Sequence, residues 1–228
     1  MTTVELQEEL HANTRRTRIT YRGLVNGQQA AIKCYRKPIF GLIHWIRALR
    51  RGKKIRRAGG PVPPIVFAGW VASEKCFGYG TAFLEGYRPL RTVLGNETSR
   101  ARQIGIIRLL GQTMGDAHKR GIEQLDGNLT NFLMGTEDRL SMVDEDDIRV
   151  HPGMLPLKVA ISNLANVAAR LPDEEMVEVL LTAYLEVAFV EKGSEWDSRA
   201  FWVSVKGWKQ MLESKRASRN IAPERKFD

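Results

Sequence analysis

Acidic residues are missing from a long stretch of this chain. None stands between Glu9 and Glu74, where Lys and Arg together occur fourteen times. The formal charge of +9 therefore belongs to the N-terminal third: residues 1 to 9 carry three Glu, and the chain from residue 74 onward has 21 basic against 23 acidic side chains. A field of this kind attracts phosphate, whether of a nucleotide, a nucleic acid, an anionic lipid headgroup or a phosphorylated sugar. Sign asymmetry does not choose among them. Cysteine is scarce too. Cys34 and Cys76 are too few for a disulfide framework and form no C-x-x-C pair, so zinc or redox chemistry is not expected. No run of 18 uninterrupted apolar residues occurs, and the opening MTTVELQEELHANTRRTR lacks the apolar core of a secretory signal. These absences point to a reducing, cytoplasmic setting. His118 and His44 lack metal-ligand spacing and read as structural or solvent-facing.

What is present is a globular composition, 43% hydrophobic over 228 residues, enough for one domain or two small lobes. Residues 17 to 36 read as two strands around Asn26-Gly27, a pair that supplies the positive φ angles of a tight hairpin. PIFGLIHWIRALRRGKKIRRA, 38 to 58, interleaves apolar and basic residues as an amphipathic helix, and Gly59-Gly60-Pro61 stops it. A strand pair follows, Ile65 to Ala72 and Cys76 to Leu84, joined by Ser73-Glu74-Lys75. From residue 99 the spacing is helical, with Ile107, Leu110, Met114 and Ala117 on one face, and further helices are expected at about 156 to 170 and 173 to 191. The second opens on Pro172-Asp173-Glu174-Glu175, with acids at the positive end of the helix dipole. A last helix is expected from a capping box at Ser194-Glu195-Trp196-Asp197, and the tail from Glu213 reads as loose. Strands come first and helices second, so the fold class is α+β: a small sheet lobe, then a helical lobe.

Chemistry concentrates in three stretches. In QLDGNLTNFLMG, Asp126 and Asn131 stand five apart, with Leu129, Phe132 and Leu133 to anchor the loop. RLSMVDEDDIRV then places Asp144 after the apolar run Leu140 to Val143. An Asp, an Asn five later and a second Asp after a short hairpin is the pattern of phosphoryl transfer. One carboxylate orients a hydroxyl and takes its proton, while an amide oxygen and a second carboxylate hold Mg²⁺, a hard cation that wants oxygen ligands. Ala30-Ala31-Ile32-Lys33 resembles the strand whose Lys pairs with nucleotide phosphates. The plainer alternatives are an Asx turn for Asp126 and Asn131, a solvated strand residue for Lys33, and a solvated acidic turn for Glu145, Asp146 and Asp147.

AHKRGIEQLDGNLTNFLMG followed by RLSMVDEDDIRV is similar to the catalytic core of the bacterial lipopolysaccharide core kinases, the Kdo and heptose kinases, whose fold is protein-kinase-like. RRAGGPVPPIVFAGW and ISNLANVAARL resemble further segments of that family, and the likeness spans roughly residues 28 to 170. The resemblance implies one kinase-like domain over 1–228: an N-lobe to about 84, a hinge at about 83–90, a C-lobe over about 91–213 and a basic tail at 214–228. It implies Asp126 as the catalytic Asp, Asn131 and Asp144 as Mg²⁺ ligands, and Lys33 as the phosphate-pairing Lys. Phe83-Leu84-Glu85 would be the hinge that reads adenine, with Glu85 on the ATP side. The reaction implied is transfer from ATP to a sugar hydroxyl of the lipopolysaccharide inner core, at the cytoplasmic face of the inner membrane, with no nucleic-acid partner. Three positions depart from the pattern. Gln124 stands where kinases commonly have His, no Gly precedes Gly23 to form a phosphate lid, and the helix after Lys33 has no acid to pair with it. A pseudokinase or nucleotide-binding scaffold is the alternative. The basic stretch 38 to 58 reads as a helix packed on the sheet; the sharper expectation is that Trp45 and its neighbours touch an anionic membrane surface. Trp196, Trp202 and Trp208 read as core.

Overall fold

The computed structural model describes residues 2–188, 195–218 and Phe227. It is an α+β structure whose chain divides into two compact units. The first comprises Met1–Arg57 with Val62–Glu85, the second Ala58–Pro61 with Gly86–Asp228.

The first unit is an antiparallel sheet with one helix. Its strands are β1 (Val4–Ala12), β2 (Arg18–Val25), β3 (Gln28–Tyr35), β4 (Ile65–Val71) and β5 (Cys76–Ala82), with α1 (Pro38–Arg57) inserted after β3. The spatial order is β1-β2-β3-β5-β4. Asn26 and Gly27 turn the β2–β3 hairpin at φ of 50° and 80°, the positive values that residue pair tolerates best. Along β3 the side chains alternate. Ala30, Ile32 and Cys34 join Phe67, Val71 and Cys76 in one apolar cluster. Tyr35, from the opposite face, meets Tyr79 and Ala48 of α1 in another. Both cysteines are buried free thiols.

Two expectations change in this unit. β1 was not anticipated; it lies at the sheet edge, mostly exposed, and bulges twice against β2, a common way of blunting an edge. α1 packs on the sheet, as its sequence reads, and this changes the sharper expectation of a membrane contact for Trp45, which is half-buried: its indole N–H donates to the Gly78 carbonyl at 2.8 Å and its ring lies 4.9 Å from that of Phe77. An indole with an unmet donor and a large apolar body gains more from this seat on β5 than from water.

The second unit is mainly helical: α2 (Leu90–Asn96), α3 (Arg100–Lys119), α4 (Leu157–Ala168), α5 (Glu174–Ala188) and α6 (Ser198–Ala217). Five short strands accompany them, β6 (Arg88–Pro89), β7 (Ile122–Gln124), β8 (Phe132–Met134), β9 (Leu140–Met142) and β10 (Ile148–Val150). α3 and α5 pack most closely, because a Cβ at Gly111 would stand 2.5 Å from the Leu180 carbonyl oxygen, so only glycine admits that approach. Ser99 caps α3, and Asp173 accepts from Met176 N at 2.9 Å at the head of α5. The box expected at Ser194 begins outside the described residues; α6 is capped by Asp197, which accepts from Ala200 N at 2.8 Å. The tail expected to be loose from Glu213 is helical through Ala217. Trp196 packs between Tyr184 and Phe201 at ring distances of 5.4 and 5.8 Å. Among the described residues no helix is long and apolar enough to cross a membrane.

Candidate active site in the helical unit

Asp126, Asn131 and Asp144 all lie on one closed stretch of chain in the second unit. β7 ends at Gln124, and its antiparallel partner β10 begins at Ile148, opposite it. Between them β8 and β9 pair as a hairpin, Phe132 facing Met142. Two ladders thus pin the segment at both ends, and backbone bonds stitch the gaps. Val143 N donates to Asn131 O at 2.9 Å, and Leu125 N donates to Asp147 O at 2.7 Å.

Within this ring the polar side chains are held by local bonds. Asp126 Oδ1 accepts from Asn128 N at 3.1 Å, and Asn128 Oδ1 from Thr130 N at 3.0 Å. The Asx turn weighed as a plain alternative is therefore present, and it shapes the loop around Asp126. Asn131 Nδ2 donates to the Asp126 carbonyl at 3.2 Å. With the donor end of the amide engaged, its Oδ1 is the atom available to a cation. Asp144 is an exposed residue in the left-handed region, at φ 56° and ψ 63°. Such a conformation at a residue other than glycine is strained and is retained where the surroundings impose it.

Gln124, noted in the sequence as a departure from the kinase pattern, is fully buried. Its Nε2 donates to the Val143 carbonyl at 3.1 Å, so it holds the residue before Asp144. Its Oε1 is buried with no hydrogen-bond partner, a cost of about 1–3 kcal/mol for a desolvated acceptor.

The residues that sequence reasoning missed come from α4 and the turn after it. Asn163 Nδ2 donates to the Gln124 carbonyl at 2.6 Å, and Asn166 Nδ2 to the Leu125 carbonyl at 3.0 Å. Arg170 Nη2 reaches Asp126 Oδ1 at 3.2 Å while its Nη1 bonds to Asn166. The spacing of three puts Asn163 and Asn166 on one face of α4, and Arg170 follows in the turn beyond it. Both bonds to the Asp126 carboxylate fall on Oδ1, which leaves Oδ2 as the remaining proton acceptor. Gly127 makes the approach possible: a Cβ there would stand 3.0 Å from the Asn166 carbonyl carbon and from Val167 N. The signal in sequence was a pair of Asn three apart in an otherwise apolar helix, ISNLANVAA.

Behind α4 sits His118, one of the two histidines read as structural or solvent-facing. Its Nε2 lies 3.0 Å from Asn163 Oδ1 and its Nδ1 2.9 Å from the Tyr184 hydroxyl. Since Asn163 Nδ2 is given to Gln124, Asn163 presents its oxygen to His118. The imidazole then carries its proton on Nε2, and Tyr184 donates to Nδ1. Burial holds this His neutral, with its pKa lowered to about 4, and the same burial pushes the Tyr184 phenol up. His44 is exposed.

No protein-family model matches the chain, and no curated protein sequence does.

The remaining candidates belong to the first unit. Lys33 is half-buried on β3, between Thr20 of β2 and Tyr79 of β5. On the same face α1 brings Arg56, whose Nη1 donates to the Tyr79 hydroxyl at 3.1 Å; the helix has no carboxylate of its own. In the segment Phe83-Leu84-Glu85, Phe83 N donates to Gln29 O and Glu85 N folds back on Phe83 O, each at 3.1 Å. The Glu85 side chain is exposed. The β1–β2 turn is ordered by Asn13, whose Oδ1 accepts from Arg18 N at 2.9 Å. Glu9 closes on Arg16 there through two bonds of 3.0 and 2.7 Å.

Among the described residues no three His, Cys, Asp or Glu side chains gather into a metal site. Asn131 and Asp144 each carry side-chain oxygens. That donor set suits Mg²⁺, which keeps several waters and takes its other ligands from phosphate, better than a metal that needs an all-protein cage.

Proposed function

We propose that this chain is an ATP-dependent phosphotransferase of protein-kinase-like fold, acting on a sugar hydroxyl of the lipopolysaccharide inner core at the cytoplasmic membrane face. The observation that carries the reading is the hydrogen-bonded loop that carries Asp126, Asn131 and Asp144 on one short segment between two strand ladders. Asn131 bonds through its side chain to the Asp126 carbonyl and through its own carbonyl to Val143 N. The sheet order β1-β2-β3-β5-β4, with Lys33 on the central strand and a helix directly after it, supports the same reading.

In this mechanism Asp126 Oδ2 accepts the proton of the sugar hydroxyl as its oxygen bonds to the γ-phosphorus. The bond from that phosphorus to the bridging oxygen breaks, and ADP leaves with the electron pair. Arg170 and Asn128 N keep the carboxylate turned for the task. Asn131 and Asp144 would hold Mg²⁺, which when bound neutralises charge on the phosphate oxygens. Lys33 takes the role of pairing with the α- and β-phosphates, and the backbone around Glu85 that of reading adenine.

One observation favours the alternative of a nucleotide-binding scaffold without turnover: α1 directs an Arg, not an acid, to the strand face that bears Lys33. Substituting Asp126→Asn separates the two. Under the enzymatic reading, Mg²⁺-dependent ATP binding stays within a few-fold while transfer to a sugar acceptor falls about 10²–10⁴-fold. Wild-type chain that binds ATP but phosphorylates no sugar acceptor would leave the scaffold reading.

A further inference from the structure

The outward side of α1 is built in two halves. Gly41, Ala48, Gly52 and Ile55 are buried, so the opposite side of the helix faces solvent. On its first turns that side carries Ile39, Phe40, Leu42 and Ile43, with Ile39 74% and Phe40 63% exposed. From Arg47 onward it is cationic, with Arg47, Arg50, Lys53 and Lys54 all exposed. Scattered exposed apolar residues need no explanation, but four on consecutive turns form a patch, and patches mark contact surfaces.

Directly beside the patch lies a cavity of about 360 Å³, within the size range of small-molecule sites. Arg15 and Thr17 line it from the β1–β2 turn, Arg18 from the start of β2, Lys37 from just before α1, and Phe40 and His44 from the first turns of α1. No acid lines it, since the chain has none between Glu9 and Glu74. The two acids that bound this stretch are engaged elsewhere, Glu9 with Arg16 and Glu74 with Arg36.

We propose that this face is a docking surface for an anionic bilayer: a lipid phosphate enters the cavity between Arg15 and Lys37, while Ile39, Phe40 and Ile43 enter the apolar boundary. The charge pattern selects this occupant. A free phosphate would use the cavity alone and leave the isoleucines without purpose. A nucleic acid would use the cations and be hindered by the apolar turn. A bilayer surface offers phosphate and hydrocarbon side by side, which is what an interfacial helix of this composition engages. Nothing in the proposal depends on the catalytic reading, and Trp45 has no part in it.

Flotation of the full chain with phosphatidylcholine vesicles, with and without phosphatidic acid, tests it. Binding is expected only to the mixed vesicles. An Arg15→Gln/Lys37→Gln variant should bind about 25-fold more weakly, at about fivefold per cation. Ile39→Ser/Phe40→Ser should also release the chain, with an unchanged melting temperature because both side chains are exposed. Equal binding to neutral vesicles overturns the proposal. So does an apolar variant that floats normally while inorganic phosphate displaces it, which marks a plain anion site. A dimer that dissociates on Ile39→Ser/Phe40→Ser overturns it too, as the patch would then belong to a second copy of the chain.

Discussion

Mild acid should weaken the helical unit well before its carboxylates titrate, and His118 should be the cause. In the folded chain its pKa is lowered to about 4 by burial, against 6.5 for an ordinary imidazole. Between those values the unfolded chain binds the extra proton and the folded chain does not, so stability rises with pH across the window. The contribution is complete above the ordinary value and is lost as pH falls toward the folded one. The full difference corresponds to about 3 kcal/mol, of which about 2 kcal/mol is gone by pH 5. Against a typical total of about 5–15 kcal/mol this is large. The geometry says why the proton is refused. Nδ1 accepts from Tyr184, so protonation replaces that bond with two opposed donors unless the phenol turns away. Urea unfolding of the wild type and of His118→Gln, from pH 7.5 down to pH 5, measures the effect. The variant should be weaker at pH 7.5, by about 1–3 kcal/mol, yet lose less stability on acidification. Parallel losses in the two proteins would refute the assignment to His118.

Two other substitutions probe the ring itself. Asp144→Gly removes a side chain from a left-handed position, so the fold should keep its stability or gain up to about 1 kcal/mol, while on the proposed phosphotransferase reading Mg²⁺-dependent nucleotide binding should disappear. Thermal melting and a binding titration read the two effects, and a variant that loses both would show that Asp144 holds the fold and not the metal. Gly127→Ala presses a methyl group against the backbone of Asn166 and Val167 and should cost about 1–3 kcal/mol. On the proposed phosphotransferase reading it should lower kcat more than it raises KM for ATP, because it displaces Asp126 rather than a nucleotide contact; an unchanged melting temperature would mean that the loop is not clamped on α4.

Local signals made parts of this structure legible in advance. Asn26-Gly27 dictates a hairpin by its φ preferences, and α1 and α3 announce themselves by apolar spacing. β1 gave no such notice. Its sequence VELQEELHA has no glycine or proline punctuation, and as an edge strand it buries too little to show a clear alternation. The positions of Asp126, Asn131 and Asp144 were visible because their spacing is local to one segment. The clamp from Asn163, Asn166 and Arg170 was not, because it depends on how α4 packs some forty residues later, with Arg170 44 residues from Asp126. For Trp45 the sequence left two readings, a packed helix and a surface anchor, and the Gly78 carbonyl that β5 supplies for its N–H decides for packing.

The two ladders that pin the ring divide its residues by what a change of length would do. Residues 125–131 and 143–147 run between fixed points, Gln124 opposite Ile148 at one end and Phe132 opposite Met142 at the other. Adding or deleting one residue there changes the angle at which a carboxylate leaves the backbone. The turn beyond β8 and β9 is closed by its own bond from Gly135 N to Arg139 O and lies outside that enclosure. Length can vary at that turn while the three oxygen-bearing side chains keep their places. It is the natural point at which this segment can differ from one chain to another, or carry an inserted label.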